Sequence, residues 1–165
     1  MSIQAVVMPG PGRLELRDFP EPELEEGMVL VRMRLAGICG TDRHTFEGKM
    51  ALEFPAIPGH ENLGVIEKIA GEVKDVHGQP LAVGDLIVWD AAYWTCGECY
   101  YCKWLPSNYG PTFCEQTLAY GFVSCENPPH LFGGWAEKIV LQPSTWIYRV
   151  PEVLTDEQAV LVDVL

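Results

Sequence analysis

The chain has 165 residues, 48% of them hydrophobic, which is enough to bury a core and is most simply read as one domain over 1–165. A formal net charge of -12 argues against nucleic acid or an anionic membrane as partner, since either needs a basic face to displace counterions. No apolar run approaches the roughly eighteen residues of a membrane-spanning helix, and Met1-Ser2-Ile3-Gln4 has neither a basic stretch nor an apolar signal core, so a soluble, cytoplasmic protein is expected.

Ile3 to Met8 and Leu14 to Arg17 are β-prone runs separated by Pro9-Gly10-Pro11-Gly12, which predicts an opening hairpin. Glu21, Glu23, Glu25 and Glu26, beside Pro20 and Pro22, read as a solvated loop. Met28 to Leu35 alternates, with Arg32 and Arg34 opposite Val31, Met33 and Leu35, as in a half-buried strand. A short helix is expected after Cys39, and further strands at Leu63 to Ile69, Leu86 to Trp89 and Trp135 to Leu141. Thr155-Asp156-Glu157-Gln158 opens a C-terminal helix reaching Leu165, with Thr155 as cap and Gln158 reaching back. Many short strands with frequent turns favour a barrel or a sandwich. There is no internal repeat and no Gly-x-Gly-x-x-Gly or Gly-Lys-Ser/Thr phosphate loop.

Six cysteines without a signal segment point to metal rather than disulfides. Cys96, Cys99, Cys102 and Cys114 have the spacing C-x2-C-x2-C-x11-C. Cysteines three apart in a tight loop are poorly placed to bond to each other but converge readily on a tetrahedral ion, and Gly97 lets backbone amides turn toward sulfur. Four thiolates saturate zinc, so this site braces a fold and does no chemistry.

Cys39 and His60 taken alone would be no more than a buried thiol and a satisfied structural imidazole. Their surroundings add what chemistry needs. Thr41 offers a hydroxyl, His44 a base in the same turn, Asp42 a carboxylate able to hold a ligand imidazole, and Glu61 a carboxylate next to the metal. A hydroxyl, a base and a metal in one pocket make a proton-exit route. Cys125 reads as a structural thiol, and His77 and His130, beside Gly78 and Pro129, as exposed loop histidines without a role.

Gly37-Ile38-Cys39-Gly40-Thr41-Asp42 with Phe46, Pro55-x-x-Pro58-Gly59-His60-Glu61-x-x-Gly64, Val83-Gly84-Asp85, the four-cysteine run and Gly133-Gly134-Trp135-Ala136-Glu137 occur in this order. Together they resemble the N-terminal catalytic domain of the zinc-dependent medium-chain alcohol dehydrogenases. The resemblance implies a mainly β fold, a GroES-like, partly open β-barrel with a few short helices and a zinc-binding lobe at about 93–116. It implies Cys39 and His60 as catalytic zinc ligands, Glu61 as an alternate ligand or an aid to water exchange, and Asp163, after Ala159-Val160-Leu161-Val162, as the third stable ligand. Thr41 and His44 would relay the alcohol proton, Asp42 would orient His60, and Phe46, Met50, Ala92 and Trp94 could shape the pocket. The implied activity is oxidation of a CH–OH group by hydride transfer to NAD or NADP, in a homodimer or homotetramer acting on a small-molecule alcohol. The Rossmann domain of that family, expected after residue 165, is not in this sequence, so the isolated polypeptide is expected to be inactive. The last gap of the cysteine run is longer than in most relatives, and Pro106-Ser107-Asn108-Tyr109-Gly110-Pro111 reads as a longer loop. Two competing readings are a non-catalytic, zinc-stabilised GroES-like binding module, which needs only the four-cysteine site, and a disulfide-stapled secreted domain.

Overall fold

The computed structural model describes residues 2–105 and 113–164, with side chains through Val162. In chain order the elements are β1 (Ser2–Gly10), β2 (Arg13–Pro20), β3 (Val29–Ala36), α1 (Gly40–Phe46), β4 (Asn62–Ile69), β5 (Leu86–Trp89), β6 (Ala92–Trp94), α2 (Tyr100–Trp104), β7 (Leu118–Ala119), β8 (Lys138–Leu141), β9 (Ile147–Arg149) and α3 (Asp156–Ala159), followed by a 3-10 turn (Val160–Val164). None of the described helices is long and apolar enough to cross a membrane. The expected Pro-Gly hairpin forms, pairing β1 with β2 from Ser2↔Pro20 to Gly10↔Arg13, and the loop 106–111 lies outside the described residues.

Five strands build the central antiparallel sheet in the order β8-β3-β4-β5-β9, and β6 and β7 form a separate ribbon at the base of the cysteine lobe. Strand β3 departs from the half-buried strand expected of its alternation. Val29 and Val31 enter a cluster with Ile66, Ile87, Trp89 and Tyr120, while Leu30 enters a second cluster with Ile3, Val7, Ile57 and Leu131. A strand flanked by β8 and β4 with apolar groups over both faces has no solvent side, and each such side chain contributes about 1.5–3 kcal/mol by burial. The alternation holds only at Arg32, Met33 and Arg34, where half-buried Met33 lies between two exposed arginines, and it fails again at Leu35, which is 37% exposed.

Other departures have local causes. The strand expected at 135–141 joins the central sheet as β8 only from Lys138, because at 135–137 the chain bridges to β1 instead, with Ala136 opposite Ala5, Val6 N–H donating to the Trp135 carbonyl at 2.8 Å and Glu137 N–H to the Gln4 carbonyl at 2.9 Å. The C-terminal helix has the predicted capping box, with Gln158 N–H donating to Thr155 Oγ1 and Thr155 N–H to Gln158 Oε1. After one turn it tightens into 3-10 geometry across Val160–Val164, where β-branched residues crowd an α-helical turn. Strands β6, β7 and β9 and helix α2 are too short to show a period in the sequence.

Two loop expectations are corrected. Within the acidic run Glu23, Glu25 and Glu26 are exposed, but Glu21 pairs with Lys68 and with Lys138, and the Lys68 hydrogen bond holds its carboxyl below the usual range. His130 is not a free loop histidine. It has φ 66°, its Nδ1 lies 2.9 Å from the Cys125 carbonyl, and its ring lies 5.7 Å from that of Phe19. His77 is exposed as expected, and Cys125, 2% exposed in the second cluster, has its thiol pushed up by burial.

Candidate metal centres

Two groups of potential metal ligands converge among the described residues, and they are built differently. In the lobe the Sγ atoms of Cys96, Cys99, Cys102 and Cys114 all lie within 4.8 Å of one another. Gly97, at φ 70°, turns the chain so that the amides of Glu98 (3.5 Å) and Cys99 (3.3 Å) point at Cys96 Sγ. The amides of Cys96 (3.3 Å) and Gln116 (3.4 Å) point likewise at Cys114 Sγ. Amide donors from Glu115 and Cys102 bring the Cys99 thiol down to about 6, whereas burial and its sulfur neighbours push Cys102 up to about 12. The two sulfurs lie 3.5 Å apart. All six cysteines are free, which removes the basis for a disulfide-stapled domain. Four convergent thiols with amides trained on sulfur fit a closed tetrahedral zinc.

The open site is assembled from three separate segments. Cys39 is the extended N-cap of α1 (φ -78°, ψ 159°), delivered there by the end of β3. Asp42 in the first turn is buried and works in two directions. Its Oδ2 accepts the Cys39 N–H at 2.8 Å, and its Oδ1 lies 3.6 Å from His60 Nδ1, an approach too long for a hydrogen bond. His60 Nδ1 is itself buried without a hydrogen-bond partner among the described residues, and the imidazole side chain is 12% exposed. Ligand atoms of Cys39, His60 and Glu61 all lie within 4.8 Å of one another. One thiolate, one imidazole and one carboxylate are a donor set that zinc accepts with a position to spare.

Thr41 Oγ1 lies 3.5 Å from Cys39 Sγ, and the Thr41 carbonyl accepts a hydrogen bond from Thr45 Oγ1 at 2.9 Å, which steadies the turn. His44 is exposed, one turn along the same helix. Of the four pocket residues expected from the resemblance, Phe46 ends α1 at 37% exposure, Trp94 is 43% exposed in β6 beside half-buried Ala92, and Met50 is half-buried. The Asp163 side chain lies outside the described residues. The aromatic ring set against the His60 imidazole is one not anticipated, Phe122, with ring centroids 4.8 Å apart and planes at 42°. No local pattern marks it, because its position follows from the return of the chain after the lobe.

The glycines of the sequence motifs are explained by close approach. A Cβ on Gly37 would overlap the Glu61 carboxylate, and one on Gly134 would overlap Asn62 Oδ1. Asn62 Nδ2 in turn donates to the Gly59 carbonyl at 3.2 Å, and Gly37 N–H donates to the Glu61 carbonyl at 2.7 Å. The backbone at 37, 59–62 and 133–135 is thus one interlocked frame beneath the site.

Residues 25–152 match the family model of the alcohol dehydrogenase GroES-like domain. The chain is 32% identical over 161 residues to a probable alcohol dehydrogenase of Mycobacterium tuberculosis, covering 96% of this chain and 42% of that protein. It is 35% identical over 142 residues to D-arabinitol dehydrogenase 1 of Uromyces fabae, covering 86% of this chain and 35% of that protein. Among solved structures, an alcohol dehydrogenase from Thermotoga maritima superposes with a TM-score of 0.89 at 34% identity, over 99% of this chain and 44% of that one. The chain therefore spans well under half the length of these relatives.

Proposed function

Since the chain belongs to the alcohol dehydrogenase family, whose GroES-like domain it carries, we propose that it is the zinc-binding catalytic domain, over 1–165, of an NAD(P)-dependent enzyme oxidising a small-molecule alcohol or polyol. The observation that carries this reading is the convergence of Cys39, His60 and Glu61 beside buried Asp42, a donor set with a free position that a purely structural site has no use for. Zinc bound there supplies Lewis acidity, lowering the pKa of an alcohol hydroxyl.

The remaining work falls to side chains of this chain. Cys39 and His60 hold the metal, with Asp163 as third ligand and Glu61 as alternate. Asp42 faces Nδ1 of His60, which leaves Nε2 for the metal, and its negative charge makes the imidazole a stronger donor. Thr41 takes the alcohol proton and passes it to His44, whose exposure opens the relay to solvent. Phe122 walls the imidazole on one side and narrows access for water. NAD or NADP would accept the hydride, and since the sequence contains no Gly-rich fingerprint, its binding groups belong to another domain. The closed lobe holds a second, structural zinc. We place the enzyme in the cytoplasm as a homodimer or homotetramer.

Metal analysis tests the reading. Two zinc ions per chain are expected, falling to one in Cys39→Ser with the lobe site retained, and the 165-residue polypeptide alone should not reduce NAD(P) with any alcohol. One zinc per chain, indifferent to Cys39→Ser, would instead identify a GroES-like binding module. Sustained alcohol oxidation by the isolated polypeptide would overturn the assignment of the nicotinamide site to another domain.

A further inference from the structure

The residues two positions before each of the two principal ligands are held by a single side chain and its own backbone. Trp135 Nε1 donates to the Gly37 carbonyl at 3.3 Å, two residues before Cys39. Trp135 N–H donates to the Pro58 carbonyl at 3.0 Å, two residues before His60. Between these bonds the indole lies where a side chain at residue 59 would stand. A Cβ on Gly59 would collide with Trp135 Cδ1, and Gly59 has φ 95°, a conformation that favours glycine. Trp135 is itself tied down, since its carbonyl accepts the Val6 N–H of β1 at 2.8 Å and its ring packs on the cluster of Ile3, Ile57 and Leu131.

We infer that Trp135 is a positioning residue for the metal centre formed by Cys39 and His60, its indole setting the distance between the two ligand-bearing loops. The inference rests on the catalytic-zinc reading of that centre. Packing alone does not require tryptophan here, because a phenyl ring would cover the same apolar neighbours. The N–H is what reaches the Gly37 carbonyl, and the five-membered ring edge is what fills the space left by Gly59. Without that bond the β3–α1 loop is attached to the His60 loop by the end of the β3–β4 ladder at Ala36↔Asn62 and by the bond between Gly37 N–H and the Glu61 carbonyl. That bond joins backbone to backbone on the other ligand's side and leaves the Gly37 carbonyl free to rotate. The lobe, which Trp135 does not brace, provides an internal control.

The test compares the native protein with Trp135→Phe after loading both sites with cobalt. Loss of one neutral hydrogen bond supporting the ligand loop should speed chelator-driven metal release from the open site about fivefold. The visible absorption of that cobalt should shift, while release from the four-thiolate site stays unchanged. Unchanged release and unchanged spectrum at the open site would overturn the inference while leaving the catalytic-zinc reading intact. A native protein that binds no second cobalt would overturn the catalytic-zinc reading itself, and the inference with it. Should Trp135→Phe fail to fold, the native protein supplies the measurement. The Trp135 indole N–H resonance should move and become slower to exchange with solvent when the open site is filled, and an indole signal indifferent to metal would refute the role.

Discussion

The lobe and the open site bring candidate metal-binding side chains together in opposite ways. The lobe takes all four ligands from one stretch, Cys96 to Cys114, and satisfies its sulfurs with amides of that same stretch. The open site takes Cys39 from the end of a core strand and His60 and Glu61 from a distant loop, then steadies both with a third segment around Gly134 and Trp135. A closed site can be written into a short piece of chain because nothing has to remain vacant. A site that must keep a coordination position free cannot let its metal draw the ligands together, so the fold has to hold them apart at the right spacing.

Breaking each side of this contrast should have different consequences. The largest effect is expected for Cys102→Ser, which leaves three thiolates where four closed the shell. Loss of the lobe zinc and a fall in stability of several kcal/mol should appear together in metal analysis and thermal melting. Gly134→Ala comes next. Its new methyl group meets Asn62, so the frame beneath the open site must part, costing about 2–4 kcal/mol in denaturant unfolding without loss of lobe metal. Asp42→Asn should leave stability nearly unchanged and weaken metal binding at the open site about 10–100-fold, measured by competition with a chromophoric chelator. The smallest effect is expected for Arg34→Ala, which removes the exposed pair to Asp156 (Nε 3.0 Å, Nη2 2.6 Å) joining β3 to α3. A cost of at most about 1 kcal/mol is predicted, with both metals retained. A loss of open-site metal in that variant would mean that the turn carrying Asp163 is held by this pair.

The same contrast explains what was legible in the sequence. Four cysteines within nineteen residues define their site by spacing, so the lobe could be read directly. Cys39 and His60 could be read only with the help of neighbouring polar residues and a family likeness, because what unites them is tertiary. Phe122 was not legible at all, since its place beside His60 depends on the path of the chain after the lobe. The Gly133-Gly134-Trp135 motif could be recognised as a signature, but its purpose emerges only when the missing methyl groups of its glycines are seen to face Ile57 and Asn62, and that of Gly59 to face Trp135. The double burial at Val29 to Val31 was masked by the arginines that follow, which impose an alternation the first half of the strand does not obey. The hairpin, the Thr155 capping box and the turn after Cys39 were legible because turn chemistry and caps act within a few residues.

Strand β3, covered on both faces by Leu30 on one side and by Val29 and Val31 on the other, leads directly into Gly37 and Cys39. Amides at its centre belong with the last in the molecule to exchange with deuterium, since opening them requires both apolar clusters to come apart. Cys39 is thus fixed to the least yielding part of the sheet, with His60 and the glycine frame brought up to it. Local fluctuations at this centre are therefore expected to be motions of the imidazole side toward and away from a nearly stationary sulfur.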